Sequence, residues 1–137
     1  MQLPQRLRHL SSIVKPKNRV VSTSVYVLQC NEFIKVGIAG DVVARVAELQ
    51  VGNPHPIRIL GHWIATDAIR EEEIIHSHLE RYRERGEWFR LPKQMMDTIA
   101  MKLPGYELAQ RIMPQASFAL LRLELWRLNA SAYHSKK

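Results

Sequence analysis

The chain has 137 residues, of which 46% are hydrophobic, and a formal net charge of +7. This length suits one globular domain with extensions rather than a multidomain protein. No apolar run approaches the roughly 20 residues that a membrane-spanning helix needs, so we expect no membrane protein. The basic excess favours an anionic partner.

The N-terminal sequence and the cysteine content bear on the compartment. The first 20 residues contain no apolar segment followed by a small-residue cleavage site, so a signal peptide is not expected. Cys30 is the single cysteine and cannot form an internal disulfide, which fits a reducing compartment. We therefore expect a cytoplasmic protein.

The N-terminal arm, residues 1–23, is basic and contains no acidic residue. Such an arm suits phosphate contacts, which are independent of base sequence and sensitive to salt. A solvated leader without a ligand is the alternative interpretation. The candidate nucleic-acid-binding residues of the arm are Arg6, Arg8, Lys15, Lys17 and Arg19.

Two apolar runs with a polar break between them open the predicted core. Val25–Leu28 and Phe33–Val36 are rich in residues that favour strands. The break at Gln29–Glu32 therefore predicts a β-hairpin. Gly37 and Gly40 then favour an end to the second strand.

The predicted first helix carries an arginine in its apolar stripe. Asp41 can cap its first turn, and Val42, Val46 and Leu49 recur at the spacing of one helix face. Arg45 falls in the same stripe. Because a buried guanidinium needs an anion, we expect a carboxylate or a phosphate beside it.

A third strand and a second helix complete the predicted core. Ile57–Ala65 predicts the strand, with Gly61 as a candidate β-bulge. Thr66 or Asp67 can cap the second helix, which is expected to run to about Arg85.

The C-terminal part predicts further helices. A helix is expected over Lys93–Leu103, ending at Pro104–Gly105, and a last apolar helix over Ser117–Leu128. The apolar stripe of the last helix needs burial, either by folding back on the core or by forming a homodimer.

These elements predict an α/β (α+β) fold. A small three-stranded, mainly antiparallel sheet with helices packed on it forms a ββαβα core, followed by C-terminal helices. We divide the chain into a basic extension at 1–23, a core at 24–92 and a helical extension at 93–137.

The second predicted helix, like the first, carries a charged residue in its apolar stripe, in this case Glu72. His76 lies four residues later, so the two side chains share one helix face. Arg45 and Glu72 are thus charged residues at core-facing positions of two helices. They form either a buried salt bridge or part of a phosphodiesterase site, in which a carboxylate anchors Mg²⁺ and an arginine clamps phosphate.

The ordered set of motifs resembles the GIY-YIG nuclease superfamily, and within it a phage- and bacteria-associated branch. The resemblance covers roughly Val25 to Leu91. Its motifs in chain order are Val25-Tyr26-Val27, Lys35-Val36-Gly37, Arg45, Gly52-Asn53-Pro54, Glu72 with His76, and Gly86-Glu87-Trp88-Phe89.

The resemblance implies a role for each matched residue. Tyr26 would position or deprotonate water, Arg45 would stabilise charge on the phosphate, and Glu72 would bind the metal. His76 would relay a proton or orient Glu72. Lys35 replaces the second tyrosine of the superfamily and can bind phosphate or act as a base.

The implied function is a metal-dependent endonuclease that uses Mg²⁺ or Mn²⁺ and acts on DNA in preference to RNA. Its compartment would be the bacterial cytoplasm, or that of the host if a phage encodes it. The alternative is a catalytically altered nuclease fold that binds nucleic acid or a protein partner, for example in phage counter-defence. The replacement of tyrosine by Lys35 keeps this alternative open.

Overall fold

The computed structural model of the chain describes residues 22–110 and 116–135. The basic side chains of the N-terminal arm (Arg6, Arg8, Lys15, Lys17 and Arg19) therefore lie outside the described residues. The elements in chain order are β1 (Ser24–Cys30), β2 (Phe33–Ala39), α1 (Val42–Gln50), β3 (Arg58–Ile64), α2 (Ala68–Leu79), a 3₁₀ helix (Glu80–Tyr82), β4 (Arg83–Arg85), β5 (Trp88–Arg90), α3 (Lys93–Gln110) and α4 (Ala116–Ser135).

The predicted hairpin is confirmed, since β1 and β2 pair along their whole length in antiparallel register. Asn31 begins the connecting turn with a φ of 56°, a left-handed conformation that asparagine tolerates better than most residues. Of the two glycines predicted to end the second strand, Gly37 is wrong and Gly40 is confirmed, because β2 continues to Ala39. Gly37 keeps its place in the ladder opposite Tyr26.

The sheet has five strands in the order β3-β1-β2-β5-β4, and all neighbouring strands are antiparallel. The predicted class is confirmed, but the prediction of three strands is too low. The α-helix ends at Leu79 and a 3₁₀ turn follows to Tyr82, so the predicted helix end at Arg85 is too late, and residues 83–90 form a second hairpin. Gly86, with a φ of 57°, supplies the left-handed conformation at its turn. The register of β1 and β3 shifts at Leu60, next to the predicted bulge at Gly61.

The helix starts follow the predicted capping. The side chain of Asp41 accepts a hydrogen bond from the Ala44 amide, and that of Asp67 accepts one from the Arg70 amide. The predicted end of the third helix at Pro104–Gly105 is wrong, because α3 continues to Gln110. A proline removes one intrahelical hydrogen bond, which need not end a helix that is otherwise well packed. Among the described helices, none is both long and apolar enough to cross a bilayer.

The two faces of the sheet carry different cores. The main core packs residues of β1 and β2, such as Val27 and Val36, against α2, α3 and α4. A smaller core on the other face packs Tyr26 and Leu28 of β1 against α1. The apolar stripe of α4 is buried in the main core, so this helix folds back on its own chain.

One buried charge joins the two C-terminal helices. Glu124 of α4 is only 7% exposed and accepts hydrogen bonds from Lys102 of α3, at 2.7 Å, and from Arg127, at 2.9 Å. Burial alone would raise the pKa of Glu124, but these two cations outweigh burial and hold it below the ordinary value of 4.5. A depressed pKa means that the carboxylate stabilises the fold above its unfolded-state pKa and loses this effect as the pH falls through the folded-state pKa.

We expect Glu124→Gln to lower the free energy of unfolding by about 1–2 kcal/mol at neutral pH, because both cations lose a charged partner and remain partly solvated. The difference from the wild type should shrink as the pH falls below 4.5. Denaturant unfolding at several pH values measures both effects. The exposed Glu73→Gln is the control, and a difference that is independent of pH would contradict the account.

Candidate functional site

One edge of β2 has no strand partner beyond the first residue of β5, Trp88. β5 pairs with β2 only from Phe33 to Lys35, so within the described residues Val36 lies beyond the last pair on that side. His76 of α2 occupies the position, with Nε2 2.7 Å from the Val36 carbonyl oxygen. Because a carbonyl oxygen can only accept, Nε2 carries the hydrogen, and in the neutral form of the ring the lone pair is then at Nδ1.

Two carboxylates and this imidazole meet at the open edge, and we call them the carboxylate–imidazole cluster. Glu72 and His76 are one helical turn apart on α2, while Glu87 comes from the turn that precedes β5. One ligand atom of each residue lies within 4.8 Å of the other two. All three residues are half-buried, so the cluster is open to a small ligand.

A buried lysine approaches the cluster from the opposite face of the sheet. Lys35 is 6% exposed, and its Nζ lies 2.8 Å from a carboxylate oxygen of Glu87. The same Nζ lies 5.7 Å from the ring centroid of Trp88. Burial alone would raise the pKa of Glu87, but the hydrogen bond and charge of Lys35 hold that pKa below its usual value.

The second carboxylate of the cluster behaves in the opposite way. Burial, the main cause, and repulsion from Glu87 raise the pKa of Glu72, and the nearby His76 and Lys35 offset this only in part. Two carboxylates with pKa values displaced in opposite directions are typical of groups that share a site.

This donor set fits a divalent cation. A cation between two close carboxylates would offset the repulsion that, after burial, contributes to the raised pKa of Glu72. Mg²⁺ binds carboxylate oxygens and keeps several waters, and Mn²⁺ accepts the same ligands. Glu72 and Glu87 are therefore the residues that can hold the ion.

Tyr26 lies on the same sheet face as Lys35, with its ring across Gly37. A Cβ placed on Gly37 would lie against the phenol oxygen and 2.5 Å from Cζ of Tyr26. Gly37 is thus required here for close approach by a side chain. The tyrosine is 1% exposed, and its ring leads from the smaller core toward the open edge of β2.

The structure does not bring Arg45 into contact with Glu72. Arg45 lies on α1, which packs on the sheet face opposite to α2, and its side chain is 42% exposed. Its guanidinium lies 3.7 Å from Glu48, one turn along the same helix. The alternative of a buried Arg45–Glu72 salt bridge is therefore wrong, because the sheet lies between their helices.

The carboxylate in the buried stripe of α2 is Glu71, whereas Glu72 lies at its border. Glu71 is 6% exposed and accepts a hydrogen bond of 2.7 Å from the indole of Trp63. The expectation that Glu72 occupies the stripe is wrong by one residue, because i+3 and i+4 flank the same helix face. Only the tryptophan across the core identifies the buried glutamate.

Glu87 is the member of the cluster that sequence reasoning does not place, since a glutamate beside a turn glycine is most often at the surface. The Gly86-Glu87-Trp88-Phe89 motif is the feature that points to it. The register of β5 shows why: Trp88 pairs with Lys35, which puts the preceding Glu87 beside the open edge of β2.

A five-stranded antiparallel sheet with helices on both faces and a carboxylate–imidazole cluster at a strand edge together define a small α/β domain with a candidate metal site. The model of the T5orf172 domain, which is phage-associated and nuclease-related, matches residues 23–103. This match spans more than half of the chain, so the chain belongs to the T5orf172 domain family. No curated protein and no solved structure is significantly similar to it.

We expect Gly37→Ala to lower the free energy of unfolding by about 1–3 kcal/mol, because the added methyl group overlaps the ring of Tyr26. Leucine lacks the ring atoms that the methyl group would meet. In a Tyr26→Leu background the same substitution should therefore cost less than about 0.5 kcal/mol. A double-mutant cycle of denaturant unfolding measures the coupling, and equal costs in both backgrounds would refute the contact.

Proposed function

We propose that this protein is a GIY-YIG-like, metal-dependent endonuclease that hydrolyses phosphodiester bonds in DNA. The observation that carries the proposal is the carboxylate–imidazole cluster, whose ligand atoms lie within 4.8 Å of one another beside a buried lysine. Phosphodiester hydrolysis needs charge neutralisation, a proton acceptor for water and a group that binds phosphate, and this cluster and its neighbours offer all three.

In this proposal Glu72 and Glu87 hold Mg²⁺ or Mn²⁺. When bound, the cation would neutralise phosphate charge and make a bound water more acidic. Lys35 fixes the orientation of Glu87 through their 2.8 Å contact. The pair resembles a supporting contact around a metal ligand, in which a hydrogen-bond partner restricts the rotamers of the ligating side chain.

His76 is the proposed proton acceptor. Its Nε2–H is directed to the carbonyl oxygen of Val36, which fixes the ring plane and the tautomer. Nδ1 then has a lone pair that can take a proton from the attacking water. The ring of Phe89, 5.2 Å from that of His76, restricts the imidazole from its other side.

Phosphate binding is assigned to the cationic and phenolic groups on the other face of the sheet. Lys35 supplies a buried positive charge at the cluster, and the phenol of Tyr26 can donate a hydrogen bond to a phosphate oxygen. Arg45 is partly exposed and its contact with Glu48 is long, so its guanidinium can exchange this partner for phosphate. The net charge of +7 supports a polyanionic substrate, while the choice of DNA rests on the resemblance.

We expect the wild-type protein to nick or cut DNA only with Mg²⁺ or Mn²⁺, and Glu72→Gln to reduce the rate by about 10²–10³-fold. Arg45→Ala should reduce the rate as well. Cleavage of duplex, single-stranded and branched DNA, with RNA in parallel, measures the effect. Glu73→Gln, which neutralises the adjacent exposed carboxylate, is the matched control. A folded Glu72→Gln protein that cleaves at the wild-type rate would overturn the proposal.

A second prediction separates metal binding from proton transfer. Mn²⁺ at 100 times its Kd should stabilise the wild-type fold by about 2.7 kcal/mol, and Glu72→Gln and Glu87→Gln should weaken this effect. His76→Gln should keep most of the stabilisation but lose about 10²–10⁴-fold in cleavage rate. Thermal unfolding with and without Mn²⁺ is the measurement. Loss of Mn²⁺ stabilisation in His76→Gln would make His76 a metal ligand instead of the proton acceptor.

A second candidate function is binding of nucleic acid or of a protein partner without cleavage. It is favoured by Lys35, which replaces the second tyrosine of the GIY-YIG superfamily and is engaged by Glu87. Salt-sensitive DNA binding that survives Glu72→Gln, together with no cleavage under any metal condition, would establish this function.

A further inference from the structure

A cavity of about 460 Å³ opens beside the cluster on the sheet face that carries α1. We call it the β2–β5 cavity. Nothing in the proposed chemistry uses it, and its volume is that of a site for a small molecule or one nucleotide unit. The lining residues that matter here are Phe33, Asn53, His55, Glu84, Arg85 and Trp88.

Two aromatic side chains from neighbouring strands line this cavity. Phe33 of β2 and Trp88 of β5 are both partly exposed. The register pairs Phe33 with Arg90 and Lys35 with Trp88, so these four residues share one face of the sheet. Partly exposed aromatic rings on a sheet face are the usual platform on which proteins stack nucleobases.

One wall of the cavity is held rigid by a single amide side chain. Gln50, at the end of α1, donates to the carbonyl oxygens of Asn53 and His55 and accepts from the amide of Ile57. The side-chain oxygen of Asn53 also accepts a hydrogen bond from the His55 amide, at 2.9 Å. The Gly-Asn-Pro loop is therefore preorganised before any ligand binds, which lowers the entropic cost of binding.

The charge of the cavity suits a neutral ligand better than a phosphate. Its lining includes the carboxylates of Glu32 and Glu84, both paired with Arg90, and the cation of Arg85. Positive and negative charges thus nearly balance there. Carboxylates accept hydrogen bonds from the amino groups of bases, whereas they repel phosphate.

The β2–β5 cavity adjoins the carboxylate–imidazole cluster through one residue. Nζ of Lys35 lies 5.7 Å from the Trp88 ring and 2.8 Å from Glu87. We propose that the cavity receives one unstacked nucleobase of the DNA strand whose phosphate lies at the cluster. The class of ligand rests on the proposed function. The assignment implies a preference for single-stranded or locally opened DNA, because a base in a duplex must leave its stack to enter.

The test compares a short single-stranded oligodeoxycytidylate, whose bases carry an amino group, with an abasic strand of the same length. Fluorescence anisotropy in chelator and at fixed salt measures binding to the full chain carrying Glu72→Gln, so that neither strand is cut. The base-bearing strand should bind more tightly, and Phe33→Leu should weaken it by about 5- to 150-fold. Binding of the abasic strand should not change.

Trp88→Leu is the second variant, in case the first perturbs the fold, and circular dichroism checks both. Its matched control is Trp126→Leu, which removes an indole that is 62% exposed on α4, on the other side of the sheet. Three results would overturn the assignment. The Glu72→Gln protein could bind both strands equally, it could bind neither strand, or both folded cavity variants could bind the base-bearing strand as tightly as the Glu72→Gln protein does.

Cleavage by the wild-type protein is recorded separately. DNA cleavage without any effect of the base refutes the cavity assignment alone. Base-dependent binding without cleavage refutes the proposed nuclease activity and leaves the cavity as a binding site.

Discussion

The site depends on where β5 begins. Because the first residue of β5, Trp88, pairs with Lys35, β2 continues past β5 with no strand paired on that edge within the described residues, and the carbonyl oxygen of Val36 needs a donor. His76 supplies it at 2.7 Å, which ties α2 to the sheet edge. The same hydrogen bond fixes the tautomer of the imidazole. A backbone requirement of the fold and a chemical requirement of the site are thus met by one contact.

The site also depends on buried Lys35, which needs an anion beside it. A lysine that is 6% exposed is costly unless an anion lies beside it, and Glu87 is that anion. The pair holds Glu87 ionised and near Glu72, and the resulting repulsion adds to burial in raising the pKa of Glu72. A cation bound between the carboxylates would offset this repulsion and favour the ionised form of Glu72.

The sequence predicts the structural features that depend on interactions between residues close together in the chain. The first hairpin, the capping by Asp41 and Asp67 and the burial of the α4 stripe follow from propensity and spacing. Spacing could not separate Glu71 from Glu72, because the partner of Glu71 is Trp63, which reaches it across the core. It also could not show that α1 and α2 lie on opposite faces of the sheet. Spacing does not predict the second hairpin, because charged residues at 80–85 continue the helical pattern of α2, and only pairing with β5 makes residues 83–85 extended.

The two sheet faces make different contributions, and the open edge of β2 is where they meet. α2 brings Glu72 and His76 to this edge from the main core, while Lys35 and Tyr26 project from the opposite face. Because α1 packs on Tyr26 and Leu28 near β1, the same face stays accessible over β5, where the β2–β5 cavity lies. A strand bound at the edge would therefore present its phosphate to the cluster and a neighbouring base to the cavity. In that arrangement Lys35 lies between the two and couples where the strand binds to where it is cut.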